Sequence, residues 1–470
     1  MRTKLLLLLI FIIAIFLFSS TLSCFFVQDD FFQFKMAEVE KAGDFFAFFL
    51  PGNKFGYRFY RPLTHQGFFF LGRSLFGLNP LGFRLIMTGF FLANIYLVYR
   101  LAEKMVSEKV GLIAGFLYAI CSCHFTSLSY ISTFGSIAVA FFIFLTIHFY
   151  LKEKKLAPII FVLALLSWET AVTLPLVLLL AEMFGEKRWE RLIIYFLIAA
   201  GYVAFRLSFF AFPKGDSYQM SLTVKSILNT LAWYVFWALG APENMVDFVG
   251  SGFRPTERFN EVFGLSGKLI VAGAMLVLIA VGIRFFQLLL QKNNKQIRAE
   301  IIVFSGWFLI FLLPFLFWPQ HKFAYYLEAP LFGFCVLISL AITKLPKLFA
   351  YLVFLSFITT SLLTVNFYRN NYWTVGRSKL AKELIDDLKV NFPDVQKGSI
   401  FYFKNDPEYK FISKEWGGSS SQAKIAISGC NAPQIIYGDK TLECFFEDDD
   451  SFSEDKEYSK EILPVVVKIN

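Results

Sequence analysis

The chain has 470 residues; 56% are hydrophobic, only 17% are charged and 61 are phenylalanine. A soluble globular protein carries about 25% charged residues, so a soluble domain is excluded for most of the length. The net charge is +9, yet the residues from Tyr368 onward hold 14 basic and 17 acidic side chains, against 31 and 19 before them. A basic apolar body with an acidic tail fits membrane topology and a lipid surface, not nucleic acid.

Arg2 and Lys4 precede an apolar run that ends near Val27. Its length is about the 20 residues a spanning helix needs, and further spans follow. It therefore reads as an uncleaved anchor with a cytoplasmic N-terminus, not a signal peptide. The polar stretch 28–79 then lies outside. Two short interfacial helices are predicted in it, over Asp30–Lys41 and Pro62–Phe76, each with a phenylalanine-rich face.

Further apolar segments lie at 80–100, 110–123, 134–151, 156–167, 170–184, 192–212, 227–241, 266–290, 301–318, 327–343 and 348–367. Short basic loops recur between them, such as Lys152/Lys154/Lys155 and Lys187/Arg188/Arg191, and positive loops stay inside. Counting 227–241 as a span would put the basic loop at 292–298 outside. That segment is therefore expected to re-enter or to lie on the surface. The predicted fold is an α-helical polytopic membrane protein, with about 11 transmembrane helices in residues 1–367.

Residues 368–470 read as a small extracytoplasmic α/β domain. A helix is predicted over Thr374–Val390, with strands at Ser399–Phe403, Lys424–Ser428, Gln434–Tyr437 and Leu463–Ile469. Glu447–Asp450, with Glu454 and Asp455, reads as a solvated acidic loop without EF-hand spacing. The six cysteines show no CxxC metal spacing. Cys430 and Cys444 stand in the polar tail, where an oxidising compartment would allow a disulfide; the sequence leaves that pairing open.

With this topology, polar side chains converge at the outer ends of the helices: Asp29/Asp30, Arg58/Arg61/His65, His124, Trp168-Glu169, and His321-Lys322 with Tyr325-Tyr326. Sugar transfer from a polyprenyl phosphate needs a carboxylate base at the acceptor and cations at the leaving phosphate. Arginine suits the second task, because its planar fork matches phosphate oxygens. Asp29 or Asp30 could supply the base; Arg58, Arg61, His321 and Lys322 the cations. Each has a plainer reading too. The aspartates could cap a helix, the arginines could snorkel to headgroups, Glu169 could mark a turn, and His321 and Lys322 could anchor a helix end. His124 and His148 read as structural.

Four stretches in order then resemble the GT-C class of integral-membrane glycosyltransferases, most nearly its protein O-mannosyltransferase-like group. They are Gln28-Asp29-Asp30-Phe31-Phe32, then Tyr60-Arg61-Pro62-Leu63 running to Leu75-Phe76-Gly77-Leu78-Asn79-Pro80, then Ser167–Pro175, then His321–Tyr326. The resemblance implies a dolichyl- or undecaprenyl-phosphate sugar donor and inversion at the anomeric carbon. It implies Asp29 or Asp30 at the acceptor, with Asp29 favoured as base. The outer-face cluster itself is expected to bind donor phosphate or substrate, through Arg58, Arg61, His65, Glu169, His321, Lys322, Tyr325 and Tyr326. The acceptor is a protein, lipid or glycan, and the location a plasma (inner) membrane. The chain departs from the pattern at Arg84, where relatives often have His, at Trp168, where they often have Lys, and at His321-Lys322, where Arg is usual. The class includes metal-dependent and metal-free members. A divalent metal therefore stays open, with no ligands beyond Asp29/Asp30. A surface-polysaccharide polymerase or ligase would keep its large polar loop late in the chain. A non-enzymatic transporter would show repeats and a polar midplane.

Overall fold

The computed structural model describes residues 2–51, 59–210, 215–291, 294–409, 417–449 and 461–469. Arg58, and Asp450, Glu454 and Asp455 of the acidic loop, lie outside the described residues.

The chain is a multi-pass helical membrane protein. Among the described residues, seven helical segments are long and apolar enough to cross a membrane: Thr3–Ser23, Pro80–Met105, Ile131–Tyr150, Trp189–Phe209, Glu257–Leu290, Lys295–Leu316 and Lys347–Asn391. The last is two helices, Lys347–Asn371 and Trp373–Asn391, which turn at Tyr372. The other four predicted spans are shorter helices of 11 to 14 residues: Glu108–Ile120, Ala157–Ser167, Leu174–Phe184 and Leu331–Lys344. The segment predicted to re-enter forms the 15-residue helix Val224–Ala238, which is not among the seven.

These helices start where the sequence offers caps. Asn79 accepts a hydrogen bond from the Leu81 N–H ahead of Pro80, and Ser107 accepts one from Val110. Small residues then let helices approach closely. A Cβ at Gly111 would stand 2.8 Å from the Tyr99 carbonyl oxygen, and one at Gly333 would stand 2.5 Å from that of Phe304.

The first outer loop packs inward as much as outward. It forms helices Asp29–Met36, Ala42–Ala47 and Phe68–Phe76, the last entered through a turn over Leu63–Gly67. Phe34 meets Phe26, Phe69 and Phe83 edge-on, with ring centroids 4.9, 5.0 and 5.6 Å away. Beside this cluster Arg84 is buried and donates to four backbone carbonyls. They belong to Cys24 (2.8 Å), Leu128 (2.7 Å), Phe25 (3.1 Å) and Ser129 (3.3 Å). The departure from the family pattern at Arg84 is thus a structural pin between two loops.

The C-terminal region holds a three-stranded sheet. Its central strand, Ile400–Asn405, pairs in parallel with Glu443–Phe446 and Ile462–Val467. The predicted strands at 399–403 and 463–469 are therefore present, shifted by a residue or two. Those at Lys424–Ser428 and Gln434–Tyr437 are not. They fall at helices Ser419–Ala426 and Asn431–Tyr437. Ala423, Ala426 and Ile427 are buried while Lys424 is exposed, a helical spacing that a four- or five-residue run is too short to reveal. The strand Glu443–Phe446 was not predicted. Cys430 and Cys444 form a disulfide, with Cα atoms 5.2 Å apart.

This region docks on the first outer loop. Lys35 Nζ donates to Gln434 Oε1 at 2.7 Å, and Lys440 pairs with Glu38 and Glu40, each at 2.9 Å.

Candidate active site

Asp29 and Asp30 begin the same helix but serve different partners. Asp30 is fully buried. Its Oδ2 accepts the Val27 N–H at 3.0 Å, and its Oδ1 accepts both the N–H and the hydroxyl of Ser132 at 2.7 Å. Burial pushes its pKa up to about 7, against the pull of those hydrogen bonds. Asp30 is therefore a clamp between the acidic loop and the segment before the Phe134–Tyr150 helix. Asp29 lines a cavity of about 460 Å³. Its N–H donates to the Tyr130 hydroxyl at 3.2 Å. The carboxylate is open to the cavity yet walled by protein. That enclosure raises its pKa, and a hydrogen bond with Tyr130 offsets part of the rise.

Removing the clamp has a measurable consequence. Asp30→Ala leaves two N–H groups and a hydroxyl without an acceptor, at about 1–3 kcal/mol each, and is expected to lower the unfolding temperature. The sign of the pH effect follows from linkage. The folded chain holds the Asp30 proton more tightly, at about 7 against 3.8. This contribution to stability is full below about pH 4 and is lost as pH rises through about 7. Thermal unfolding in detergent at both pH values should show that slope in the parent and its reduction in Asp30→Asn; equal slopes would refute it.

A second wall of the cavity is cationic. Arg61 Nε donates to Glu169 Oε2 at 2.7 Å, and its guanidinium lies over the Trp168 ring, 3.5 Å from the centroid, and over Phe59 at 4.7 Å. The backbone brings these together. The Thr64 hydroxyl donates to the Ser167 carbonyl at 2.6 Å, tying the Leu63–Gly67 turn to the end of the Ala157–Ser167 helix. Trp168 then fits against Gly135, where a Cβ would stand 2.4 Å from the indole. Arg206, near the end of its apolar helix, also lines the cavity.

The third wall comes from the late loop. His321, Tyr325 and Tyr326 line the cavity with Tyr218. His321 packs against Tyr218 with ring centroids 4.3 Å apart and the planes tilted by 35°. Burial, then the Arg61 charge, pushes the His321 pKa down to about 4. His65, also lining the cavity, is held well below its usual value by the same causes. Both shifts disfavour the charged imidazole, which tells against His321 as a source of positive charge. Lys322 is placed elsewhere: its ammonium donates to the Pro319 carbonyl at 2.6 Å and is not on the cavity wall. The cavity therefore gathers Asp29, Arg61, His65, Glu169, His321, Tyr325 and Tyr326 of the predicted set, and leaves out Asp30 and Lys322.

Sequence reasoning missed Arg206, Tyr130 and Tyr218 as cavity residues. A cation in an apolar span is costly enough to be a signal; the two tyrosines carry none. His124 is fully buried against Glu328, Nδ1 to Oε1 3.0 Å, with Nε2 2.7 Å from the Tyr118 carbonyl, a structural placement. Both Asp30 oxygens accept from protein donors. Among the described residues no three His, Cys, Asp or Glu side chains are grouped to hold a metal ion.

No family model and no curated protein matches the chain. Solved structures resemble it in overall form. One is the oligosaccharyltransferase AglB from Archaeoglobus fulgidus, in complex with an inhibitory peptide and a dolichol-phosphate. It shows 14% identity and a TM-score of 0.45 over 86% of this chain and 62% of that one. Another is ArnT from Cupriavidus metallidurans bound to undecaprenyl phosphate, with 11% identity and a TM-score of 0.49 over 94% and 86%. A third is the arabinofuranosyltransferase AftD from Mycobacteria, with 13% identity and a TM-score of 0.47 over 93% and 31%. The chain thus spans 62% of the length of AglB and 31% of that of AftD. Identities of 11–14% mark a loose similarity of form, from which no residue's role is transferred.

Proposed function

We propose that the chain is a GT-C-type membrane glycosyltransferase. It moves a sugar from a polyprenyl-phosphate donor to an acceptor hydroxyl, with Asp29 as general base. The observation that carries this reading is one cavity holding an accessible carboxylate, two arginines and a wall of aromatic rings. The acceptor oxygen forms its bond to the anomeric carbon as its proton passes to Asp29. The bond from that carbon to the phosphate oxygen breaks, and the electron pair leaves on the phosphate. Arg61 and Arg206 supply positive charge for it. A raised pKa brings Asp29 nearer the working pH, where a base is most effective. The neutral imidazole of His321 is suited to hydrogen-bonding sugar hydroxyls without adding charge. Attack opposite the leaving phosphate inverts the anomeric configuration.

Residues 1–367 form the transferase body and 368–470 an extracytoplasmic domain. The basic loops support a cytoplasmic N-terminus in a plasma (inner) membrane, and the Cys430–Cys444 disulfide supports an oxidising side for the tail. The test uses full-length protein in nanodiscs with a panel of polyprenyl monophosphate sugars and diphosphate-linked glycans. Transfer from monophosphate donors is expected. Transfer from diphosphate donors alone would replace this reading with a polymerase or ligase.

A further inference from the structure

We infer that the turn Tyr368–Arg377, where the last apolar helix meets the C-terminal domain, is a positioning element of the site: it holds the Asp29 loop on one side and the His321–Tyr326 loop on the other. This rests on the reading of the cavity as the active site. The C-terminal domain then belongs to the catalytic unit and is no appendage.

The first arm ends at the base. Gln28 has φ 50° and ψ −116°, a region that side-chain-bearing residues rarely adopt. Such a conformation persists only where the surroundings over-determine it. Here the tail does so. The Gln28 N–H donates to the Ala426 carbonyl at 2.9 Å, and Arg377 Nη1 donates to Gln28 Oε1 at 3.2 Å. Asp29 is the next residue. The Thr374 hydroxyl donates to that of Ser129 at 2.7 Å, and Trp373 packs edge-on against Tyr130 at 5.3 Å. Tyr130 is the residue whose hydroxyl accepts the Asp29 N–H. The residue before the base and the side chain bonded to it are therefore both held from this turn and the domain that follows.

The second arm passes through Glu243, a buried carboxylate that no part of the proposed chemistry uses. Its Oε1 accepts the Tyr372 hydroxyl at 2.9 Å, and its Oε2 accepts the Ala324 N–H at 2.6 Å. Its own N–H donates to the Tyr368 hydroxyl. Ala324 opens the turn Ala324–Leu327, which presents Tyr325 and Tyr326 to the cavity just after His321. Tyr372 thus reaches the late loop through one carboxylate. Loops far apart in sequence are registered to each other by ten residues of chain. Glu243 and Tyr372 act on the late loop, Thr374 and Arg377 on the acidic one, and none of the four lines the cavity.

The test reads each arm separately in full-length protein in nanodiscs. Hydrogen exchange without substrate is measured for Tyr372→Phe, Glu243→Gln and Arg377→Met. The first two are expected to speed exchange at residues 321–327 several-fold, and the third at 27–33. Steady-state transfer is then compared. Arg377→Met is expected to lower kcat roughly 10-fold with donor KM nearly unchanged, since small misplacements of a reacting group are costly. Tyr372→Phe is expected to act mainly on donor KM. Gln28→Gly, which relieves the positive φ, is expected to restore part of the kcat lost in Arg377→Met; a general loss of stability would not be rescued this way. Exchange unchanged in both loops, or raised evenly across the membrane domain, overturns the inference. If the exchange pattern appears but no polyprenyl-phosphate sugar is turned over, the positioning stands and the active-site reading falls.

Discussion

Asp29→Asn is expected to lower kcat by roughly 10²–10⁴-fold, the usual contribution of a positioned general base, with donor KM changed far less. Asparagine keeps the volume and a side-chain oxygen that can still pair with Tyr130, and the backbone N–H of residue 29 still donates to the Tyr130 hydroxyl, so the loop should hold its place. What is lost is the ability to take a proton. The pH profile gives a second readout. Enclosure raises the Asp29 pKa, so the acid limb of kcat/KM should lie above the ordinary carboxylate value of about 3.9. Rate falls as pH drops through that limb, because the base becomes protonated. Asp30→Asn should shift stability without a comparable fall in kcat. Undiminished turnover in Asp29→Asn would end the general-base proposal.

Arg61→Ala is the other change with a large expected effect, roughly 10²–10³-fold in kcat, the scale for removing one charge-stabilising donor. It also disturbs its surroundings. Glu169 loses its partner at 2.7 Å, with side chains only 11% and 25% exposed, and the Trp168 face is uncovered. Loss of stability should therefore accompany loss of rate. Adding Glu169→Gln separates the two: the double variant should regain stability and not rate. Arg61→Lys should not restore rate either, since an ammonium cannot both pair with Glu169 and lie flat on an indole. Kinetics and thermal unfolding on the same preparations check this. Full rate in Arg61→Ala/Glu169→Gln would remove Arg61 from the chemistry.

Long apolar runs made the long helices legible, because burying a helix's backbone in lipid demands such runs. The convergence of Asp29, Arg61, Glu169 and His321 was legible once the basic loops fixed which helix ends share a face. What could not be read was direction. Successive helical residues diverge by about 100°, so one of two adjacent aspartates turns to Ser132 and the other to the cavity, and the sequence does not say which. His321 and Lys322 also part, in a loop where no helical or strand period sets side-chain direction. Glu243 carried no signal in the sequence; its partners Ala324 and Tyr372 stand 81 and 129 positions away, beyond any local pattern. The tail's short apolar runs were ambiguous for a different reason. Helix and strand share such runs, and burial against the sheet decided them.

The shortness of two helices sets the depth at which chemistry occurs. Ala157–Ser167 and Leu174–Phe184 have 11 residues each, a rise of about 17 Å against a hydrocarbon layer of about 30 Å. Their far ends carry exposed charges, Lys154 and Lys155 on one and Glu186 and Lys187 on the other, which belong at a watery face. Trp168 and Glu169, between the two helices, therefore stand about 17 Å from those charged ends, about 13 Å less than the thickness of the hydrocarbon layer. On the proposed reading, the protein walls around Asp29 would limit the water that competes as a nucleophile, which protects the activated sugar from hydrolysis. On the proposed reading, a hydroxyl on an extended chain or on a lipid head would enter this cavity more readily than one on a flat folded surface.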